Sequence, residues 1–189
     1  MDYVIRKMIR EDARAVSHII AVTWNETYKG IINDEYLDNL KKNEEETADA
    51  LANNFNTNGN NYYVLEVNRE IAGFINISAS DDLEFTNCGE LCAIYIISKY
   101  KGQGYGKTLF DVAIKELRNM GFNKMIIGCL NGNPANEFYK HMGGKFIKIR
   151  IFEKLQMPEN VYYFDNMVAI HKNRDYKKDR LKYERKTKL

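Results

Sequence analysis

The chain has 189 residues, enough for one domain with its own core. Hydrophobic residues make up 44% and charged residues 29%, a balance that argues against a disordered, fibrous or membrane-embedded chain. The net charge of +2 hides a split: from Lys172 to Leu189 nine Lys or Arg face three Asp or Glu, so a body of net −4 carries a basic tail.

Met1-Asp2-Tyr3-Val4-Ile5-Arg6 lacks the apolar run of a secretory leader. No stretch approaches the ~20 apolar residues of a membrane span. Tyr3 to Met8 alternates like a strand. Asp12 is placed to cap a helix with Val16, Ile19, Ile20 and Trp24 on its inner face. Asp34 to Ala52 reads as one charged helix, and Asn53 to Asn61 as a turn region. Tyr62 to Val67 and Ile71 to Ser78 form a hairpin around Asn68-Arg69-Glu70. After a loop from Asp81 to Asn87 comes Leu91-Cys92-Ala93-Ile94-Tyr95-Ile96-Ile97, the longest apolar run and a buried strand. Phe110, Ala113, Ile114 and Leu117 then mark a helix that Gly121 ends. Lys124 to Leu130 is a fifth strand. Asn133 and Pro134 start a short helix with an inward stripe of Ala135, Phe138, Tyr139 and Met142, stopped at Gly143-Gly144. Strands over Lys145 to Phe152 and Val161 to Ile170 follow, and both prolines, Pro134 and Pro158, fall at element boundaries. The order is βααβββαβαββ, an α/β arrangement.

Between the apolar strand and the long helix lies Lys101-Gly102-Gln103-Gly104-Tyr105-Gly106. Alternate glycines let the backbone approach a ligand, and the helix start behind them offers free N–H groups to an anion. Two common phosphate loops fail by one residue. A P-loop needs glycine at 101, which is Lys, and the dinucleotide fingerprint needs glycine at 107, also Lys. The pattern [QR]-x-x-G-x-[GA] fits, except that Lys101 replaces the Gln or Arg. A second segment, Asn133-Pro134-Ala135-Asn136-Glu137-Phe138-Tyr139, lies a strand downstream. Together the two segments resemble the pyrophosphate turn and the pantetheine-flanking helix of the GCN5-related N-acetyltransferases, over roughly residues 2 to 170.

That resemblance implies a mixed, mostly antiparallel central sheet flanked by helices. It implies one N-acetyltransferase domain over residues 1–171, followed by the basic tail at 172–189. It also implies acetyl-CoA as acyl-donor cosubstrate. By position, the backbone of Ile94, Tyr95 and Ile96 would hold the pantetheine arm, and Lys101, Gly102, Gln103, Gly104, Tyr105, Gly106 and Lys107 the pyrophosphate. Asn133 and Asn136 would bond the pantetheine amides. Tyr139 matches the family tyrosine facing the thiol sulfur, and Glu90 sits where the family often has a carboxylate base. Glu26 is the second candidate base. It lies in Trp24-Asn25-Glu26-Thr27-Tyr28, which resembles a substrate-side segment; Trp24 and Tyr28 fit a pocket wall or the core.

The remaining residues narrow the chemistry. Cys88, Cys92 and Cys129 lack C-x-x-C spacing and read as reduced core thiols of a cytoplasmic protein. His18, His141 and His171 lack ligand spacing, so no metal is expected. Trp24 to Asn61 carries eight acidic residues against three basic ones, which favours a small cationic amine as acceptor. Alternatives are acetylation of a protein N-terminus or lysine, or a non-catalytic acyl-CoA-binding module. Membrane is not expected as a partner, the acidic body does not favour nucleic acid, and a homodimer is left open.

Overall fold

The computed structural model describes residues 2–57 and 59–167. The basic tail from Lys172 and the last part of the expected final strand, Val168 to Ile170, lie outside them. One sheet holds seven strands: β1 (Tyr3–Lys7), β2 (Asn61–Val67), β3 (Glu70–Ala79), β4 (Gly89–Ile96), β5 (Met125–Leu130), β6 (Lys145–Phe152) and β7 (Met157–Phe164). Their order across the sheet is β1-β2-β3-β4-β5-β7-β6. Every neighbouring pair is antiparallel except β4 and β5, which run parallel. The helices are α1 (Ala13–Tyr28), α2 (Asp34–Lys42), α3 (Glu44–Asn54), α4 (Tyr105–Asn119) and α5 (Ala135–His141).

Side-chain periodicity decides the layers. Phe110, Ala113, Ile114 and Leu117 of α4 are fully buried against Ile75, Ile77 and Leu91 on one face of the sheet. On the opposite face Val16 and Ile19 of α1 pack on Val64 and Phe74. Each of these side chains except the single methyl of Ala113 contributes ~1.5–3 kcal/mol by leaving water. The β2–β3 hairpin turns on Asn68 and Arg69, both left-handed (φ 50° and 69°), which matches the twist of the strands.

Four expectations need correction. The charged segment from Asp34 is two helices, broken at Asn43 (φ −104°, ψ 22°). Lys41 and Lys42 end α2, and Glu44, Glu45 and Glu46 open α3, so each group of charges meets the helix end it stabilises. Asp12 does not cap α1 with its side chain. Its carboxylate takes a bidentate grip from Arg6 at 2.6 and 2.9 Å and accepts the Ile9 N–H at 2.9 Å, so β1 and a one-turn 3-10 helix claim it first. The last strand begins at Met157 rather than Val161, with Pro158 inside it. Glu159 and Asn160 resemble loop residues, but an ion pair and an amide bond satisfy them within the sheet. Finally, the β3–β4 register slips between Asn76 and Ile77, leaving Cys92 as the extra residue of a bulge. Cys92 is therefore an exposed residue and not a core one, although its sulfur is turned onto Ser78, whereas Cys88 and Cys129 are buried.

Candidate active site

The sheet opens at its centre. β4 pairs with β5 only at Gly89↔Met125 and Glu90↔Ile126. Beyond Glu90 the two strands part, and β5 continues on β7 alone. Ile94, Tyr95 and Ile96 stay paired with Ile75, Phe74 and Gly73 on one edge, and among the described residues their other edge has no strand partner. An extended amide-bearing chain can add to such an edge as a strand would.

The opening leads to the glycine turn. Gly102 and Gly104 are left-handed (φ 76° and 85°), a conformation that glycine adopts without a steric cost. A Cβ at either would meet nothing within 4 Å, so open space lies over both. The first intrahelical bond here runs from the Thr108 N–H to the Gly104 carbonyl at 3.2 Å. The N–H groups of Tyr105, Gly106 and Lys107 precede it and are unspent among the described residues, at the positive end of a 15-residue helix. Tyr105 offers main chain only, because its ring is buried against Tyr3 and Tyr100. Gln103 donates its side chain to the Lys99 carbonyl. Lys107 is exposed, and the Lys101 ammonium lies 3.6 Å from Glu26. Open space, unspent donors and two lysines fit a pyrophosphate.

Across the opening stands α5. The Asn133 side chain accepts the Ala135 N–H at 2.8 Å and so caps the helix start; it also donates to the Tyr28 hydroxyl at 2.6 Å. Asn136 donates to the carbonyls of Leu130 and Asn133 and accepts from Asn160 and the Tyr162 hydroxyl. Its hydrogen-bonding capacity is spent on the fold, which corrects the expectation that it binds pantetheine amides. Tyr139 is 6% exposed, with its ring against Phe138 and Tyr162. Among the described residues none bonds its hydroxyl. Burial, with Cys129 and Tyr28 nearby, pushes its phenol well above the ordinary value. Burial does the same to Tyr95 and raises Tyr28 to about 12. At neutral pH all three phenols are protonated and able to donate.

On the other face of the sheet, at the apex of the opening, Glu90 belongs to a charged lattice. Arg150 on β6 holds the Glu159 carboxylate at 2.6 Å, Glu90 at 2.8 Å and Asp82 at 3.4 Å. Lys148 adds Asp82 at 3.3 Å and Glu84 at 2.8 Å. Four carboxylates thus surround two cations. The Glu90 side chain is only 12% exposed. Burial pushes its carboxyl up, and the bond and charge of Arg150 offset part of that rise. Arg150, Glu159, Lys148 and Asp82 were not anticipated. One signal was present: Lys148 and Arg150 alternate, which puts two cations on one strand face and demands carboxylates opposite.

The substrate-side expectations divide. Glu26 accepts from the Ser98 hydroxyl at 2.5 Å and meets Lys101, so it sits at the glycine turn and not at the apex beside Glu90. Tyr28 is 4% exposed and belongs to the core. Trp24 is half-buried in an aromatic group with Tyr28, Tyr36 and Tyr95, centroids 4.9, 5.9 and 6.5 Å away. Of the acidic segment, Glu44 pairs with His18 and Glu45 with Arg14. Asp34 and Asp38 line a groove of about 520 Å³ between α1 and α2 that no β4 or β5 residue reaches. The acidic group beside the opening is instead Asp82, Glu90 and Glu159, gathered on Arg150.

A protein-family comparison matches residues 24–143 to the acetyltransferase (GNAT) family. The protein named uncharacterized N-acetyltransferase YuaI, from Bacillus subtilis (strain 168), is 25% identical over 139 residues, covering 72% of this chain and 76% of the relative. Among solved structures, PaiA N-acetyltransferase from Thermoplasma acidophilum, in complex with coenzyme A, has a TM-score of 0.68 at 20% identity, covering 86% of this chain and 98% of that one. A mutant of spermidine N-acetyltransferase SpeG from Vibrio cholerae has a TM-score of 0.62 at 15% identity, covering 86% and 92%. The split sheet, the glycine turn and the matched residues lead to one conclusion: the chain belongs to the GNAT family of acetyl-CoA-dependent N-acetyltransferases.

Proposed function

We propose that the chain acetylates the primary amine of a small cationic acceptor, by direct attack in a ternary complex. Acetyl-CoA supplies the activated acyl thioester when bound. The main chain from Gly102 to Lys107 binds the pyrophosphate, with Lys101 adding charge. The backbone of Ile94 to Ile96 orients the pantetheine arm, and a strand N–H near Ile96 polarises the carbonyl. Glu90 takes the proton of the acceptor amine, directly or through water. An ordinary alkylammonium has a pKa up to ~10.4, so a base with a raised carboxyl value is better matched to the task than an exposed one. Tyr139, protonated at neutral pH, donates to the departing thiolate.

The observation that carries this reading is the parting of β4 from β5 immediately beyond Glu90, with the glycine turn at the far end of β4. A cationic acceptor is favoured by the lattice on this face, where Asp82, Glu84, Glu90 and Glu159 outnumber Arg150 and Lys148. Likeness in fold to a spermidine N-acetyltransferase agrees with that charge. The test is kcat/KM for a polyamine, an amino sugar and an acidic amine at two salt concentrations, read as free CoA thiol. Cations should be preferred, and their rates should fall as salt rises. A preference for the acidic amine, or salt-independent rates, overturns the acceptor assignment.

A further inference from the structure

Arg150 has an unusual reach. It stands on the edge strand β6, where it pairs in register with Glu159 of β7. Glu90 stands on β4, in register with Ile126 of β5. To hold Glu90 at 2.8 Å, the guanidinium crosses β7 and β5. Gly128 clears part of that route, because a Cβ there would collide with the Glu159 carboxylate. The chain thus leaves a side chain out of the middle of β5 and fills the space with an ion pair. Arg150, Glu90 and Glu159 keep 26%, 12% and 8% of their side-chain surface, so water screens the lattice only weakly.

We propose that Arg150 and Glu159 are positioning residues that set the proton affinity of Glu90 from across the sheet. This rests on Glu90 acting as the base. The groups facing Glu90 are few. Arg150 comes from β6 and Glu159 from β7; Asp81 and Asp82 come from the β3–β4 loop; Cys88 and Cys92 flank it on its own chain segment. Among the described residues facing Glu90, Arg150 is the one that favours the ionised carboxylate directly. Lys148 stands one step back, on Asp82 and Glu84. Arg150 is shared among Glu90, Glu159 and Asp82, so Glu90 does not have its full charge. Glu159 therefore acts on Glu90 twice, by like-charge repulsion and by competing for the guanidinium. Arg150 draws the base down towards ionisation at neutral pH, and Glu159 keeps it from becoming too weak to take a proton.

The two residues pull in opposite directions, and this gives a signature that loss of structure does not produce. The measurement is kcat against pH, with both substrates saturating and one acceptor throughout, so that the acceptor's own ionisation is common to every variant. In Arg150→Met the acid limb should move to higher pH by roughly one unit or more, and Arg150→Lys should restore part of the shift. In Glu159→Gln, which keeps an acceptor for Arg150, the limb should move to lower pH. Arg150→Lys and Glu159→Gln carry the test if Arg150→Met does not fold. Limbs that stay in place, or that shift in the same direction in both, overturn the proposal. Glu90→Gln separates the two levels. If it removes the limb while the Arg150 and Glu159 variants leave it unmoved, Glu90 is the base and the positioning role is wrong. If it keeps the limb and the wild-type rate, both fall.

Discussion

Replacing Gly104 by Val tests the cofactor turn, and the structure sets the size of the effect. Gly104 lies at φ 85° and ψ −8°, where a residue with a Cβ pays ~1–2 kcal/mol. For a domain of this length such a loss lowers the melting temperature by about 2–8 °C, so the fold should survive. Apart from its two chain neighbours, no atom of the described residues lies within 4 Å of the added Cβ, so nothing packed on the turn is displaced. The valine branches instead fill the open space over the turn. In the wild type, CoA at one hundred times its Kd adds ~2.7 kcal/mol to stability, an upward shift of about 5–11 °C. If the variant binds a hundredfold more weakly, the same concentration adds only ~0.4 kcal/mol, about 1–2 °C. The assay is thermal unfolding of both proteins with and without CoA. A ligand-induced shift in the variant equal to that of the wild type would falsify the placement of the pyrophosphate at this turn.

Three further outcomes follow. Tyr139→Phe keeps the ring packing on Phe138 and Tyr162 and removes one hydroxyl; kcat should fall roughly 10-fold to 10⁴-fold with CoA affinity nearly unchanged, and an unchanged rate of the chemical step in single turnover rules out the donor role. Asn136→Ala strips partners from Tyr162, Asn160 and the carbonyls of Leu130 and Asn133; stability should drop by ~2 kcal/mol or more in urea unfolding, whereas a loss confined to CoA affinity would return Asn136 to the cofactor. Cys92 is exposed, yet burial of its sulfur pushes the thiol up to about 11; alkylation at neutral pH should be slow and should rise about tenfold per pH unit below that value, and rapid labelling at pH 7 would contradict it.

The fold was legible wherever apolar spacing spoke alone. The stripe from Phe110 to Leu117 and the run from Leu91 to Ile97 are where their periods place them, and the glycine turn lies between them. What stayed hidden depends on partners distant in sequence. Glu159 reads as a loop residue until Arg150 is set beside it, and Arg150 reads as a surface charge until Gly128 is seen to make room. The break at Asn43 rests on charges at two helix ends, which a continuous charged segment conceals. Glu26 lies close to a promising motif, but its carboxylate is taken by Ser98 and Lys101, 72 residues and more along the chain. The glycine turn before α4 was readable because its geometry is local; the surroundings of Glu90 were not, because four strands contribute to them.

The most direct test follows the acetyl group itself. The protein is incubated with acetyl-CoA labelled in the acetyl carbon and with a polyamine, an amino sugar, an acidic amine and a lysine-bearing peptide in competition, and the products are identified by mass spectrometry. The account predicts label on the polyamine or amino sugar, with CoA thiol released in equal amount and transfer lost in Gly104→Val. Label on the peptide alone would contradict the small-amine acceptor, and acetyl-CoA that binds without any transfer would contradict catalysis at this site.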